Sequence, residues 1–254
     1  ENISDYLLRN VEARNKIFFL TPIPIVIVYW ILFYIFWYMT QFLVKDWGKQ
    51  YLDRVEEGNR KKKIIQRRWD SIWCLAALPC HGFQVYCGFR WLYYLFINYN
   101  EQAVLDTEAM FFICVNGYFM CDYTYRIANS MLFTKEGCIY IAHHSFFAYG
   151  CYVCFVNEWN SLSKLVFMVG LSEVTNIVLD VQWFLQVSGV GTRCPTVLLV
   201  LNWTLFILYI PYRMIGILVA AYLSFFNKEL WEIAPLNVLV VFYIGMIAGY
   251  AMNI

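Results

Sequence analysis

The chain has 254 residues, of which 61% are hydrophobic, 20% aromatic and only 15% charged. A water-soluble domain is nearer half apolar and a quarter charged, so this composition excludes an ordinary soluble domain and points to lipid as the solvent. The formal net charge of +1 decides nothing by itself, because the charges are unevenly distributed; nucleic-acid binding needs a basic face with interleaved aromatics on a soluble domain, and no such domain is expected, so no nucleic-acid partner is expected.

Residues 1–16 form a short N-terminal extramembrane segment, and no stretch reads as a cleavable signal peptide. Asn2-Ile-Ser4 is a glycosylation acceptor only where the N-terminus faces a lumen. A membrane-crossing helix needs about 20 mostly apolar residues. Residues 17–44 (IFFLTPIPIVIVYWILFYIFWYMTQFLV) meet that need most clearly, with Pro22 and Pro24 fitting a helix entrance or a kink. A hydrophilic loop follows at 45–68, carrying Lys45, Lys49, Arg54, Arg60, Lys61, Lys62, Lys63, Arg67 and Arg68.

Further spans are expected at about 72–97, 110–125, 138–156, 162–187, 195–226 and 234–254, for about seven in all. Their long, continuous apolar runs lack the period-two alternation of a membrane β-barrel, so the expected fold class is all-α and polytopic. Tyr29, Trp30, Trp37, Tyr93, Tyr94, Trp159 and Trp231 lie near span ends, as interfacial aromatics do. The Lys and Arg bias puts the 45–68 loop and the C-terminus inside, in cytosol or mitochondrial matrix, and the N-terminus outside.

Seven of the nine cysteines (Cys74, Cys80, Cys87, Cys114, Cys121, Cys151 and Cys154) lie in apolar runs, where a thiol is a small buried hydrophobe. Cys151 and Cys154 make a lone CxxC, which without a second pair does not specify a metal site, so no metal and no cofactor are expected.

At membrane depth the costly residues carry the information. An ionisable side chain at mid-span costs roughly 2.5 to 3.5 kcal/mol on insertion scales and so turns inward with a partner. The second span has His81, Gln84 and Arg90. The third has Asn116 and Asp122, with Arg126 one turn further on, placed for a local ion pair. The fourth has His143 and His144, about 100° apart on their helix. The fifth places Glu173, Asn176, Asp180 and Trp183 at spacings that share one face. Arg213 lies deep in the sixth. Histidine, glutamate and aspartate on three helices point to an enclosed polar interior.

The ordered segments GYFMCDYTYRI, HHSFFAYG, GLSEVTNIVLDVQWFL, FILYIPYRM and the final GYAMNI together resemble the TLC-domain membrane proteins, most closely the branch without ceramide synthase activity. The matching positions are Gly117, Tyr118, Phe119, Asp122, His143, His144, Glu173, Thr175, Trp183, Phe184 and Arg213. The resemblance implies a TLC-type bundle of about six helices over residues 69–254, preceded by the 17–44 helix as an extra span. It further implies a cavity open to lipid, with the paired histidines at its polar end. The His-Asp pair that continues the synthase signature is missing here, GLSEVTNIVLD standing in its place.

The expected function is binding of a lipid or acyl chain in an intrahelical cavity lined by His143, His144, Asp122, Glu173, Asn176, Asp180, Trp183 and Arg213. Such a protein regulates lipid composition or trafficking, in the endoplasmic reticulum or another organelle membrane, the mitochondrial inner membrane included. Two alternatives stand beside it. One is an acyl-CoA-dependent N-acyltransferase that uses His143, His144, Asp122 and Glu173, with Asp122 orienting an imidazole and the basic loop meeting the CoA phosphates. The other is an accessory subunit of a larger assembly, such as a respiratory complex, with other membrane subunits as partners.

Overall fold

In a computed structural model of the chain the described residues are 11–43, 57–130, 133–157, 167 and 175–215. They are helical apart from short connections, with no strand among them. α1 (Val11–Leu20) and α2 (Pro22–Leu43) part at Thr21. Pro22 has no N–H to give to the preceding turn, so it opens a helix instead of continuing one. The Thr21 hydroxyl donates to the Ile17 carbonyl at 2.6 Å across the break.

α3 (Glu57–Leu92) begins inside the segment expected as a loop and closes in a π turn, Tyr93–Ile97. Its extra turns are rich in Arg, Lys and Gln, which are good helix formers that an apolar criterion passes over. α4 (Glu101–Ala128) likewise starts well before the expected residue 110. Asn100 caps it, its side chain accepting from the Ala103 N–H at 3.0 Å. The polar Glu101, Gln102, Asp106 and Glu108 hide these first turns from a hydropathy reading.

Beyond them come α5 (Lys135–Asn157), α6 (Asn176–Ser188), the single turn α7 (Val190–Arg193) and α8 (Pro195–Tyr209), which runs into a π turn, Ile210–Ile215. α6 stops because Gly189 takes a left-handed conformation, φ 76°.

Among the described residues, four helices are long and apolar enough to cross a membrane: Glu12–Gln41, Arg68–Ile97, Glu101–Ala128 and Pro195–Tyr212. They correspond to the first, second, third and sixth expected spans. The 23-residue α5 matches the fourth in position, but its histidines, tyrosines and glycines keep it less apolar than those four. The fifth is described at Phe167 and from Thr175 onward, and 234–254 lies outside the described residues.

α3 and α4 form the centre. α2 packs on both, α5 on α4, α6 on α3, α1 on α5 and α8 on α6. Pairings along the helices fix their directions. The Tyr125 hydroxyl bonds Asp70 at one end of the α3–α4 pair, and Trp91 Nε1 donates to Glu108 Oε1 at 2.7 Å at the other, so the two run antiparallel. α2 runs parallel to α4: Trp30 Nε1 donates to Thr124 Oγ1 at 2.9 Å, Ile25 lies against Gly117, and before them Phe18 of α1 accepts from Asn116 Nδ2 at 3.0 Å.

Two aromatic clusters fill the interior. One gathers Phe111, Phe112, Val115 and Phe119 with Trp91, Phe147 and Phe167. The other gathers Tyr29, Phe33, Trp73 and Tyr125 with Val187 of α6. Cys151 and Cys154 are buried in the first. Among hydrocarbon neighbours, side-chain burial itself gains little, so close packing and interhelical hydrogen bonds hold such helices together. The outer face of α2 is apolar in turn, Ile23, Ile27, Ile31 and Ile35 all standing exposed.

Candidate functional site

Tyr118, Asp122 and Arg126 are spaced four apart on α4 and therefore share a face. The Asp122 carboxylate, 4% exposed, is held from two sides. Arg126 Nε donates to its Oδ2 at 2.7 Å, as the one-turn spacing predicts. His144 Nδ1 of α5 lies 3.1 Å from the same oxygen. The His144 ring stacks on Phe119 with centroids 4.3 Å apart, and the Arg126 guanidinium sits 4.1 Å over Tyr140. Tyr140 and His144 are one turn apart on α5, so that helix presents a cation–π platform and an imidazole to the same carboxylate. His143, half-buried, contacts the His144 ring at 5.3 Å, and the Asp122 side belongs to His144.

A second pair lies deeper. His81 of α3 is 1% exposed. Its Nδ1 lies 3.1 Å from Gln84 Oε1, and its Nε2 lies 3.3 Å from Oδ2 of Asp180 on α6. Tyr118 stands between the two pairs. Its ring is edge-on to His81 at 4.8 Å and to His144 at 6.0 Å. His81 is about 20 Å along the helix from Arg68, and Asp122 is about 9 Å from the C-terminal end of α4, at 1.5 Å per residue. The network therefore runs from the end of the bundle bearing the basic segment toward its middle.

The expected residues fall into three groups. Asp122, His144 and Asp180 are drawn into the network, with His143 beside it. Asn176 and Trp183 are half-buried on α6. Asp180 faces His81, and Trp183 packs against the aromatic cluster of Tyr29, Trp73 and Tyr125. Gln182 leaves in another direction, its Nε2 donating to Asn202 of α8 at 2.7 Å. Glu173 and the Arg213 side chain lie outside the described residues.

His81 and Gln84 are absent from the expected set, yet they complete the deeper pair. The signal was present: an imidazole and an amide three residues apart share a helix face inside an apolar run. A second buried carboxylate, Glu108, is 1% exposed and held by Trp91 at the far end of α4, away from both pairs.

Compared with known proteins, the chain matches no family model, no curated protein and no solved structure.

The network has the chemistry for binding and for proton transfer. It offers a carboxylate shared by a guanidinium and an imidazole, and a second imidazole–carboxylate pair one ring away. The Asp180 side chain keeps 16% exposure and His143 is half-buried, so the network reaches the surface of the described bundle at these positions.

Proposed function

We propose that this chain is a multi-pass organelle membrane protein of the TLC type. In this reading it crosses the membrane about seven times and holds the polar end of a lipid or acyl chain at the Tyr118-centred network, regulating membrane lipid composition or trafficking. The observation that carries the reading is the convergence of two imidazole–carboxylate pairs, from α3, α4, α5 and α6, on one aromatic ring.

Helix adhesion alone is a poor account of that convergence. Interhelical polar contacts return on average about 0.6 kcal/mol, whereas each ionisable group at mid-membrane costs roughly 2.5 to 3.5 kcal/mol. Five ionisable groups gathered in one network, with His81 the deepest and Arg126 nearest the helix end, are an outlay that a binding site explains and packing does not. The TLC resemblance, which implies paired histidines at the polar end of a cavity, motivates the same reading.

The test is photocrosslinking in native membranes with a diazirine-bearing fatty-acyl lipid. Label is expected on peptides containing Tyr118 and His143, competed by unlabelled lipid. Label confined to the outward face of α8 would reject the site.

One observation favours a second reading, acyl-CoA-dependent N-acyl transfer: Asp122 Oδ2 lies 3.1 Å from Nδ1 of His144, close enough for a carboxylate to orient a catalytic imidazole. Purified protein should then transfer a labelled acyl group to an amine, and His144→Ala should abolish the transfer. Absence of transfer across a broad amine panel returns the network to binding alone.

A further inference from the structure

Residues 45–56, expected together with 57–68 as one basic loop, carry balanced charge: Lys45, Lys49 and Arg54 against Asp46, Asp53 and Glu56. The positive excess lies in the first turns of α3, where Arg60, Lys61, Lys62, Lys63 and Arg67 stand against Glu57. These turns precede the apolar span, which begins at Arg68. Arg68 is held at that boundary. Its Nη2 donates to the Trp37 carbonyl at 3.2 Å, and its guanidinium lies 4.0 Å over the Trp37 ring. Trp37 and Trp69 meet beside it with centroids 5.2 Å apart, as aromatics at headgroup level do. At 1.5 Å per residue, Arg67 and Lys63 fall within about 8 Å of Arg68, and Arg60 within about 12 Å.

Helical spacing sorts these charges. Arg60, Arg67, Cys74 and His81 recur every seven residues, with Lys63 one turn after Arg60, so they follow one seam along α3. Deeper in the bundle that seam is the one α6 covers, since Cys74 and His81 both face Asp180. α6 ends at Ser188, directly after Val187, which packs in the cluster of Trp73. Arg67, Lys63 and Arg60 therefore continue the seam past the end of α6. Arg193, exposed on α7, adds a charge just beyond that end. Lys61 and Lys62 fall on other sides of the helix.

Like charges three and four residues apart repel along a helix, and Arg60, Lys63 and Arg67 make two such steps. An anion beside the row offsets that repulsion, and the row stands at the depth of lipid phosphates. The rule that places positive loops inside depends on the number of charges and not on their arrangement. A binding surface depends on both.

We propose that the Arg60–Lys63–Arg67 row, with Arg193, is a binding surface for anionic phospholipid headgroups at the basic end of the bundle. It gathers such lipids beside the end of α6, from the leaflet on that side. The surface is separate from the Tyr118-centred network and does not depend on that network holding a lipid.

Electron spin resonance of the full chain in phosphatidylcholine vesicles tests this with spin-labelled phosphatidylglycerol and phosphatidylcholine. At about 20 mM salt the native protein should retain phosphatidylglycerol about fivefold more strongly, the worth of one basic residue at a membrane surface. At about 0.5 M KCl the preference should shrink toward one. Arg60→Gln/Lys63→Gln/Arg67→Gln should abolish the preference, and Lys61→Gln/Lys62→Gln should keep most of it. Labelling of exposed Cys138 with an impermeant maleimide checks that both variants keep the native orientation. Equal retention of the two lipids by the native protein, or a preference that survives high salt, would overturn the proposal without any variant. A loss that follows the number of charges removed, whatever their position, would overturn the row. Inorganic phosphate should displace no more lipid than KCl of equal ionic strength, and extra displacement would assign the surface to free phosphate instead.

Discussion

A carboxylate shared by a guanidinium and an imidazole from two helices is a keystone, and Asp122 occupies that position. Arg126 comes from its own helix and His144 from the next, so removing the carboxylate strands a guanidinium that is 8% exposed and an imidazole that is 5% exposed. Breaking a buried pair by deleting one partner costs about 3 to 5 kcal/mol, because the remaining charge has nowhere to go. Asp122→Ala should destabilise the protein by roughly that amount, read as a lowered unfolding midpoint in nanodiscs. Asp122→Asn should lose less, since the amide oxygen still accepts from Arg126. An Asp122→Ala protein as stable as the native one would show that the pair contributes nothing. At this scale much was legible. The one-turn spacing of Asp122 and Arg126 foretold their ion pair, and the adjacency of His143 and His144 foretold that one of them would turn to the interior. The partner of Asp180 was not legible, because His81 lies 99 positions away in the chain and nothing local ties the two together.

Between elements, α2 and α4 approach closely at Gly117. A Cβ added at Gly117 would stand 2.5 Å from Ile25 Cδ1 and 2.9 Å from Ile25 Cγ2. Glycine is thus the residue that lets α2 lie against α4 at this level, next to Tyr118. Gly117→Ala should cost about 1 to 3 kcal/mol by overpacking. Pairing it with Ile25→Ala should recover part of that, a coupling that a double-mutant cycle measures in the same unfolding assay. If the two effects simply add, the contact is not the one that matters. The element scale also shows where sequence reading stops. The ends of α3 and α4 were misplaced because their outer turns are polar, and hydropathy sees only the part of a helix that suits hydrocarbon. The cap at Asn100 and the helix-forming run after Glu57 were the available signals. On α6 the period was visible, but which neighbour each residue meets depends on the packing of α3 and α8.

For the whole molecule, the alternation of helix directions constrains topology more tightly than hydropathy does. Asp70 of α3 meets Tyr125 near the end of α4, and Val187 of α6 joins Trp73 and Tyr125 in one cluster. The start of α3, the end of α4, the start of α5 and the end of α6 therefore lie on one side, with the basic segment. The turn at residues 98–100 lies on the other. If the bundle spans a bilayer in this way, two exposed native thiols serve as reporters, Cys138 near the start of α5 and Cys194 just before α8. Both should react with a membrane-impermeant maleimide from the same side, the cytosolic or matrix face by the distribution of Lys and Arg. A cysteine introduced as Asn98→Cys should react from the opposite side. Labelling of sealed vesicles in both orientations, read by peptide mass, decides the matter. Cys138 and Cys194 reacting from opposite faces would break the alternation, and with it the placement of the His81–Asp180 and His144–Asp122 pairs within a single membrane-embedded interior.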